Sequence, residues 1–182
     1  MREREAAVRQ TAWIPRKERF GVTIAAAAAL VLLVWQLWSL AHMPAQTWHS
    51  RQFEHTFKNF GSNARLLLFF VLAYYVLQRI IKLRQLSGYT QVKKWLAILL
   101  RFVRTWHTPA AILAIALIIL HAVAVFLHGF VWDFNNISGL LALLVLLPVP
   151  VSGLLRYKRL DRKWHLRLGL AFAILFLIHA FL

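Results

Sequence analysis

The sequence predicts an all-α integral membrane bundle of about five transmembrane helices, and three observations lead there. Of 182 residues, 60% are hydrophobic and the mean hydropathy is +0.61, above the roughly half-apolar usage of soluble domains. The apolar residues gather in runs of few charges, near the roughly 20 residues that cross a hydrocarbon core of about 30 Å. These runs are continuous rather than alternating, so they lack the period of a barrel strand. A backbone in lipid must then satisfy its own hydrogen bonds as helix.

The first run, residues 20–41, follows a basic segment, residues 1–19, that is expected to be cytoplasmic. Its length of about 22 residues exceeds the apolar core of a secretory signal, so it is expected to remain as an anchor. Residues 20–182 are then read as the transmembrane domain. The second run is residues 64–81, and the polar stretch before it, with His42, His49, His55 and Glu54, reads as an outer loop. Residues 90–106 mix Lys93, Lys94, Arg101 and Arg104 with Trp95, Leu96, Ile98 and Leu99. That mixture predicts an interfacial amphipathic helix leading into the third run, residues 107–129. The fourth run, residues 136–155, carries Pro148, Pro150 and Gly153, which predict a kink. The fifth is residues 164–182.

The 22 Lys and Arg residues are distributed with a pattern. Six precede the first span, three surround the first loop, seven lie from Arg79 to Arg104, none separates the third and fourth spans, and six lie from Arg156 to Arg167. By the positive-inside rule this predicts a bacterial inner-membrane type of protein with its amino terminus cytoplasmic and residue 182 outside. The net charge of +16 has two open readings, attraction to anionic lipid and docking of an acidic partner. No nucleic-acid partner is expected, because the basic residues sit at membrane edges where topology accounts for them. The six acidic residues all lie outside the proposed spans, which weakens ion-coupled transport, where carboxylates at membrane depth are the common device. With no cysteine, thiolate ligands, disulfides and iron–sulfur clusters are excluded. Redox or metal chemistry would have to use histidine.

Eight histidines are present, and four form two matched pairs: His107 with His121, and His165 with His179, each pair 14 residues apart. Fourteen helical residues return the second side chain to within roughly 40° of the first and about 21 Å further along the axis. The third and fifth spans both start from the cytoplasmic side, so they run parallel, which would set His107 level with His165 and His121 level with His179. Facing neutral imidazoles are the axial ligand pair of a six-coordinate haem iron. Two levels predict two haem b groups, and a buried imidazole is costly without such a partner. Both pairs share the pattern R-x-W-H-x13-H-A: Arg104, Trp106, His107, His121 and Ala122, then Arg162, Trp164, His165, His179 and Ala180. Arg104 and Arg162 are the candidate partners of the haem propionates. Ala110, Ala111, Ala114 and Gly169 leave room beside a flat ring, or equally suit ordinary packing through small residues. Phe172 and Phe176 share the histidine face, with Phe172 a candidate spacer between haems. His128, seven residues after His121, suits a propionate or water partner better than an iron ligand.

Residues 96–182 resemble the ferric reductase-like transmembrane domain, the superfamily that includes NADPH oxidases and the membrane partner of a bacterial methionine sulfoxide reductase. The resemblance rests on His107/His121 and His165/His179, on the Trp before each first ligand and on Ser152-Gly153 ahead of the last span. It implies that an inner haem takes electrons from a flavin or quinol and an outer haem passes them to an acceptor outside. Fuller members have a sixth span and a flavin or nicotinamide domain, whereas this sequence ends three residues beyond His179. The electron donor is therefore expected to be a separate protein or a membrane quinol. Two alternatives stay open: a quinol-linked cytochrome b subunit of a larger respiratory complex, and a haem-free membrane scaffold or transporter subunit.

Overall fold

The computed structural model describes residue 14 and residues 16–83, 88–157 and 162–182. Most of the basic amino-terminal segment lies outside the described residues. Among those described there are seven helices and no strand: α1 (Arg16–Ala41), α2 (Ala45–Trp48), α3 (Arg51–Ile80), α4 (Thr90–Gly129), α5 (Phe134–Leu146), α6 (Pro148–Tyr157) and α7 (Arg162–Phe181). Five stretches are long and apolar enough to cross a membrane: Glu18–Ala41, Arg51–Ile80, Thr90–Gly129, Phe134–Leu155 and Lys163–Phe181. The protein is thus an all-α integral membrane bundle.

Two compact units divide these helices, Phe20–Phe130 and Val131–Leu182. In the first unit α3 and α4 pack along each other, and the short α2 touches both. Phe70 meets Phe102 edge to face with ring centroids 6.1 Å apart, in the geometry aromatic quadrupoles favour. At the far end Leu40, Phe53 and Ala124 form a buried cluster that Met43, Trp48, Phe57, Val123 and Leu127 cover. α1 approaches α4 at Gly21, where an added Cβ would come within 3.6 Å of Pro109 Cγ. Much of what is buried is small, including Ala25, Ala29, Ala64, Ala110, Ala114, Ala116 and Ala124. Small residues let backbones approach, and in lipid, packing rather than water exclusion drives helices together. Leu30, Val31, Val34, Trp35 and Trp38 of α1 are left exposed, as a lipid-facing surface requires.

Two boundaries differ from those read off hydropathy. The second helix starts at Arg51, well before residue 64, because Ser50 caps it by accepting from the Phe53 amide at 3.2 Å and Lys58 pairs with Glu54 one turn on. Gln52, Lys58, Asn59 and Asn63 lower hydropathy without opposing helix. The expected interfacial helix over residues 90–106 is not separate: it continues into the third span as one helix of 40 residues, Thr90–Gly129, through Pro109.

In the second unit α5 and α6 pack on α7. The fourth span is interrupted as its prolines predict. Leu147 keeps helical dihedrals (φ −51, ψ −46) and bonds back to Leu143 at 3.2 Å, but Pro148 has no amide to donate and a new helix begins there.

Candidate functional site

Each unit carries one of the matched histidine pairs on a single long helix, His107 and His121 on α4 and His165 and His179 on α7. The neighbouring helices meet three of these imidazoles in the same way. His121 Nδ1 lies 2.8 Å from the carbonyl oxygen of Phe57 on α3. His179 Nδ1 lies 3.0 Å from the Asn135 carbonyl on α5, and His165 Nδ1 lies 3.3 Å from the Val149 carbonyl on α6. A carbonyl oxygen can only accept, so the ring nitrogen facing it carries the proton. Nδ1–H is thereby committed to the protein, and Nε2 is the nitrogen left with a lone pair. That is the arrangement by which proteins orient a histidine toward a metal.

Four residues after each accepting carbonyl stands a glycine: Phe57 and Gly61, Asn135 and Gly139, Val149 and Gly153. The spacing puts the glycine one helical turn above the carbonyl, beneath the imidazole. A Cβ on Gly61 would come to 3.1 Å from His121 Cε1, one on Gly139 to 2.7 Å from His179 Cε1, and one on Gly153 to 3.3 Å from His165 Cε1. These glycines form cradles that any larger residue would fill with its own side chain.

In the second unit the cradles have a further member. Ser138 and Ser152 are the buried polar residues among those described, at 5% and 6% exposure. Each hydroxyl donates to the carbonyl three residues back, Ser138 to Asn135 at 2.8 Å and Ser152 to Val149 at 2.7 Å. Each Oγ also faces a ligand candidate, His179 Nδ1 at 3.3 Å and His165 Nδ1 at 3.1 Å. With its proton spent, the serine oxygen can only accept from Nδ1–H. Ser138-Gly139 and Ser152-Gly153 are 14 residues apart, as are His165 and His179. A repeat spread over α5 and α6 thus answers a repeat on α7.

The remaining sequence candidates are placed as follows. The His107 ring lies 5.4 Å from that of Tyr74. Arg104 is exposed on α4; Arg162 opens α7, and its side chain lies outside the described residues. Trp106 and Trp164 are exposed, as membrane-interface residues would be, and Arg167 stacks over Trp164 at 5.7 Å. Ala110 and Ala114 are buried, whereas a Cβ on Gly169 would meet nothing within 4 Å. Phe172 and Phe176 are buried and stacked at 6.1 Å.

His128 is held by protein: its Nδ1 bonds the Trp48 carbonyl at 2.6 Å, while His49 Nδ1 bonds the His128 carbonyl at 2.8 Å. His42 turns back to the Trp38 carbonyl at 2.9 Å and stacks on that indole. Among the described residues no group of three or more His, Cys, Asp and Glu side chains is placed to hold a metal ion. The sequence alone did not single out Gly61, Ser138 or Gly139, and it assigned Gly153 to the kink expected with Pro148 and Pro150 and gave Ser152 no physical role. The Ser-Gly dipeptide recurring at the histidine interval was the available signal.

Fold and composition define the class, an integral membrane helical bundle. No family model, curated protein or solved structure matches the chain.

Proposed function

We propose that this protein is a membrane-embedded electron carrier that binds two haem b groups, one through His107 and His165 and the other through His121 and His179. The observation that carries this reading is the orientation of the imidazoles. Three of the four commit Nδ1–H to a neighbouring helix across a glycine cradle, which makes Nε2 the lone-pair nitrogen that an iron would use. A histidine serving only to tie helices together needs one hydrogen bond and no repeat. Here the interval of 14 residues recurs in the histidines of α4, in those of α7 and in the Ser-Gly couples facing α7.

The donor set fits haem b. Neutral imidazole is its common axial ligand, and no cysteine is present for the covalent or thiolate alternatives. Bound haem supplies one-electron chemistry, and the chain's residues do the rest. Four imidazoles would fix two irons about 21 Å apart along the spans, Arg104 and Arg162 would balance propionate charge, and the apolar spans would exclude water. The basic face would point to the cytoplasm, with a separate flavoprotein or quinol as donor and an acceptor outside. This is the arrangement implied by the resemblance to ferric reductase-like domains.

The test is an absorption spectrum of the purified protein supplied with haem. Two haems per chain are expected, and about half the Soret and α-band intensity should be lost in each of His107→Ala, His121→Ala, His165→Ala and His179→Ala. A colourless protein in excess haem, or four variants with full pigment, would remove the basis of the reading.

A further inference from the structure

We infer that Ser138 and Ser152 are positioning residues that set the strength of two iron ligands separately, Ser138 through His179 and Ser152 through His165. The inference rests on the two-haem reading above and adds how each site is tuned. Both serines are buried, where an unsatisfied hydroxyl would be costly. Each has one proton and gives it to the carbonyl three residues back, at 2.8 Å for Ser138 and 2.7 Å for Ser152. Polarised by that donation, the oxygen is a better acceptor for the imidazole Nδ1–H in front of it. The proton on Nδ1 is then shared by two acceptors, hydroxyl and carbonyl.

Drawing on the Nδ1 proton makes Nε2 more basic, and a more basic ligand favours ferric over ferrous iron. The two couples are not equal. At His165 the hydroxyl is the nearer acceptor, 3.1 Å against 3.3 Å for the carbonyl. At His179 the carbonyl is nearer, 3.0 Å against 3.3 Å for the hydroxyl. Loss of Ser152 therefore removes more of the acceptor strength at its histidine than loss of Ser138 does. His121 takes its bond from the Phe57 carbonyl, with Phe60 where the other two sites have serine.

The experiment is a spectroelectrochemical titration of the full-length, haem-loaded protein with Ser138→Ala, Ser152→Ala and the two Ser→Thr variants, each checked first for unchanged haem content. Each alanine is expected to move one of the two reduction waves to higher potential and leave the other in place. The shift should be larger for Ser152→Ala, and threonine, which keeps the hydroxyl, should restore both positions. Unmoved waves, or both waves moving together in either variant, would overturn the inference.

Ring nitrogen NMR of the haem-free chain separates this outcome from failure of the haem reading. His165 and His179 should show the Nδ1–H tautomer, held by the carbonyls, with the Nδ1 resonance shifting toward that of a more weakly hydrogen-bonded N–H when the facing serine is replaced. A colourless protein with that shift means the haem reading is wrong while the serines still orient the rings. A haem-free chain without the shift overturns the positioning role itself.

Discussion

Closeness between an imidazole and a neighbouring helix is decided at single positions. Replacing glycine by alanine adds one methyl group, and its cost depends on what the Cβ meets. The distances to Cε1 rank the three cradles, 2.7 Å at Gly139, 3.1 Å at Gly61 and 3.3 Å at Gly153. Overpacking of this kind costs about 1–3 kcal/mol where neighbours cannot yield. At Gly139 the ring can move only by giving up its bonds to Asn135 and Ser138. Gly139→Ala is therefore expected to lose one haem, Gly61→Ala to lose part of one, and Gly153→Ala to lose least. The ratio of haem to protein after purification checks the order, and equal losses at all three sites would show that contact distance is not what matters. The four histidines were legible in the sequence because interval, preceding Trp and following Ala all repeat. Their partners were not, because Gly61 and Ser138 gain meaning only from the register between two helices, which one strand of sequence does not contain.

Between whole elements the unit of register is the interval itself. Fourteen residues are two heptads, and a sustained seven-residue period keeps one face toward its partner when helices wrap in a left-handed sense. His165, Phe172 and His179 mark that face of α7, and His107, Ala114, His121 and His128 mark it on α4. Hydropathy located all five spanning helices but misplaced two edges, since it scores transfer to lipid while helix ends follow capping. Ser50 starts α3 inside a polar stretch, and the basic residues of α4 interrupt apolarity without interrupting the helix. The fourth span holds its two Ser-Gly couples on either side of the break at Pro148, so its phase can be tested there. One alanine inserted after Leu147 would turn Ser152-Gly153 by about 100° relative to Ser138-Gly139, while His165 and His179 stay in phase on α7. The insertion should leave one histidine supported and halve the bound haem, read as a haemochrome spectrum. Full haem content would mean that the two couples act independently of their interval.

Across the whole molecule, charge rather than packing carries the directional information. The described spans are mainly apolar and aromatic, and α3 and α4 also carry Glu54, Lys58, Arg65, Arg79, Lys93, Lys94, Arg101 and Arg104 beside the histidines. The Lys and Arg residues concentrate before the first span, between the second and third, and between the fourth and fifth, with none between Arg104 and Arg156. Moving such clusters across a bilayer is unfavourable, and loops of this length obey the bias of Lys and Arg over that of Asp and Glu. On that bias the proposed topology would put residue 182 on the side opposite residue 16 and would have the histidine-bearing segments 107–129 and 164–182 both enter from the basic side. A phosphatase domain active only outside the cytoplasm, fused after Leu182 or inserted after Val131, is expected to be active, and the same domain inserted after Gln85 inactive. The proposed pairing of His107 with His165 and of His121 with His179 requires those two segments to run in the same direction across the membrane. Phosphatase activity after Gln85 together with none after Leu182 would invert the proposed topology while leaving the proposed pairing intact. Activity on the same side for Val131 and Gln85 would make α4 non-spanning and remove the pairing altogether.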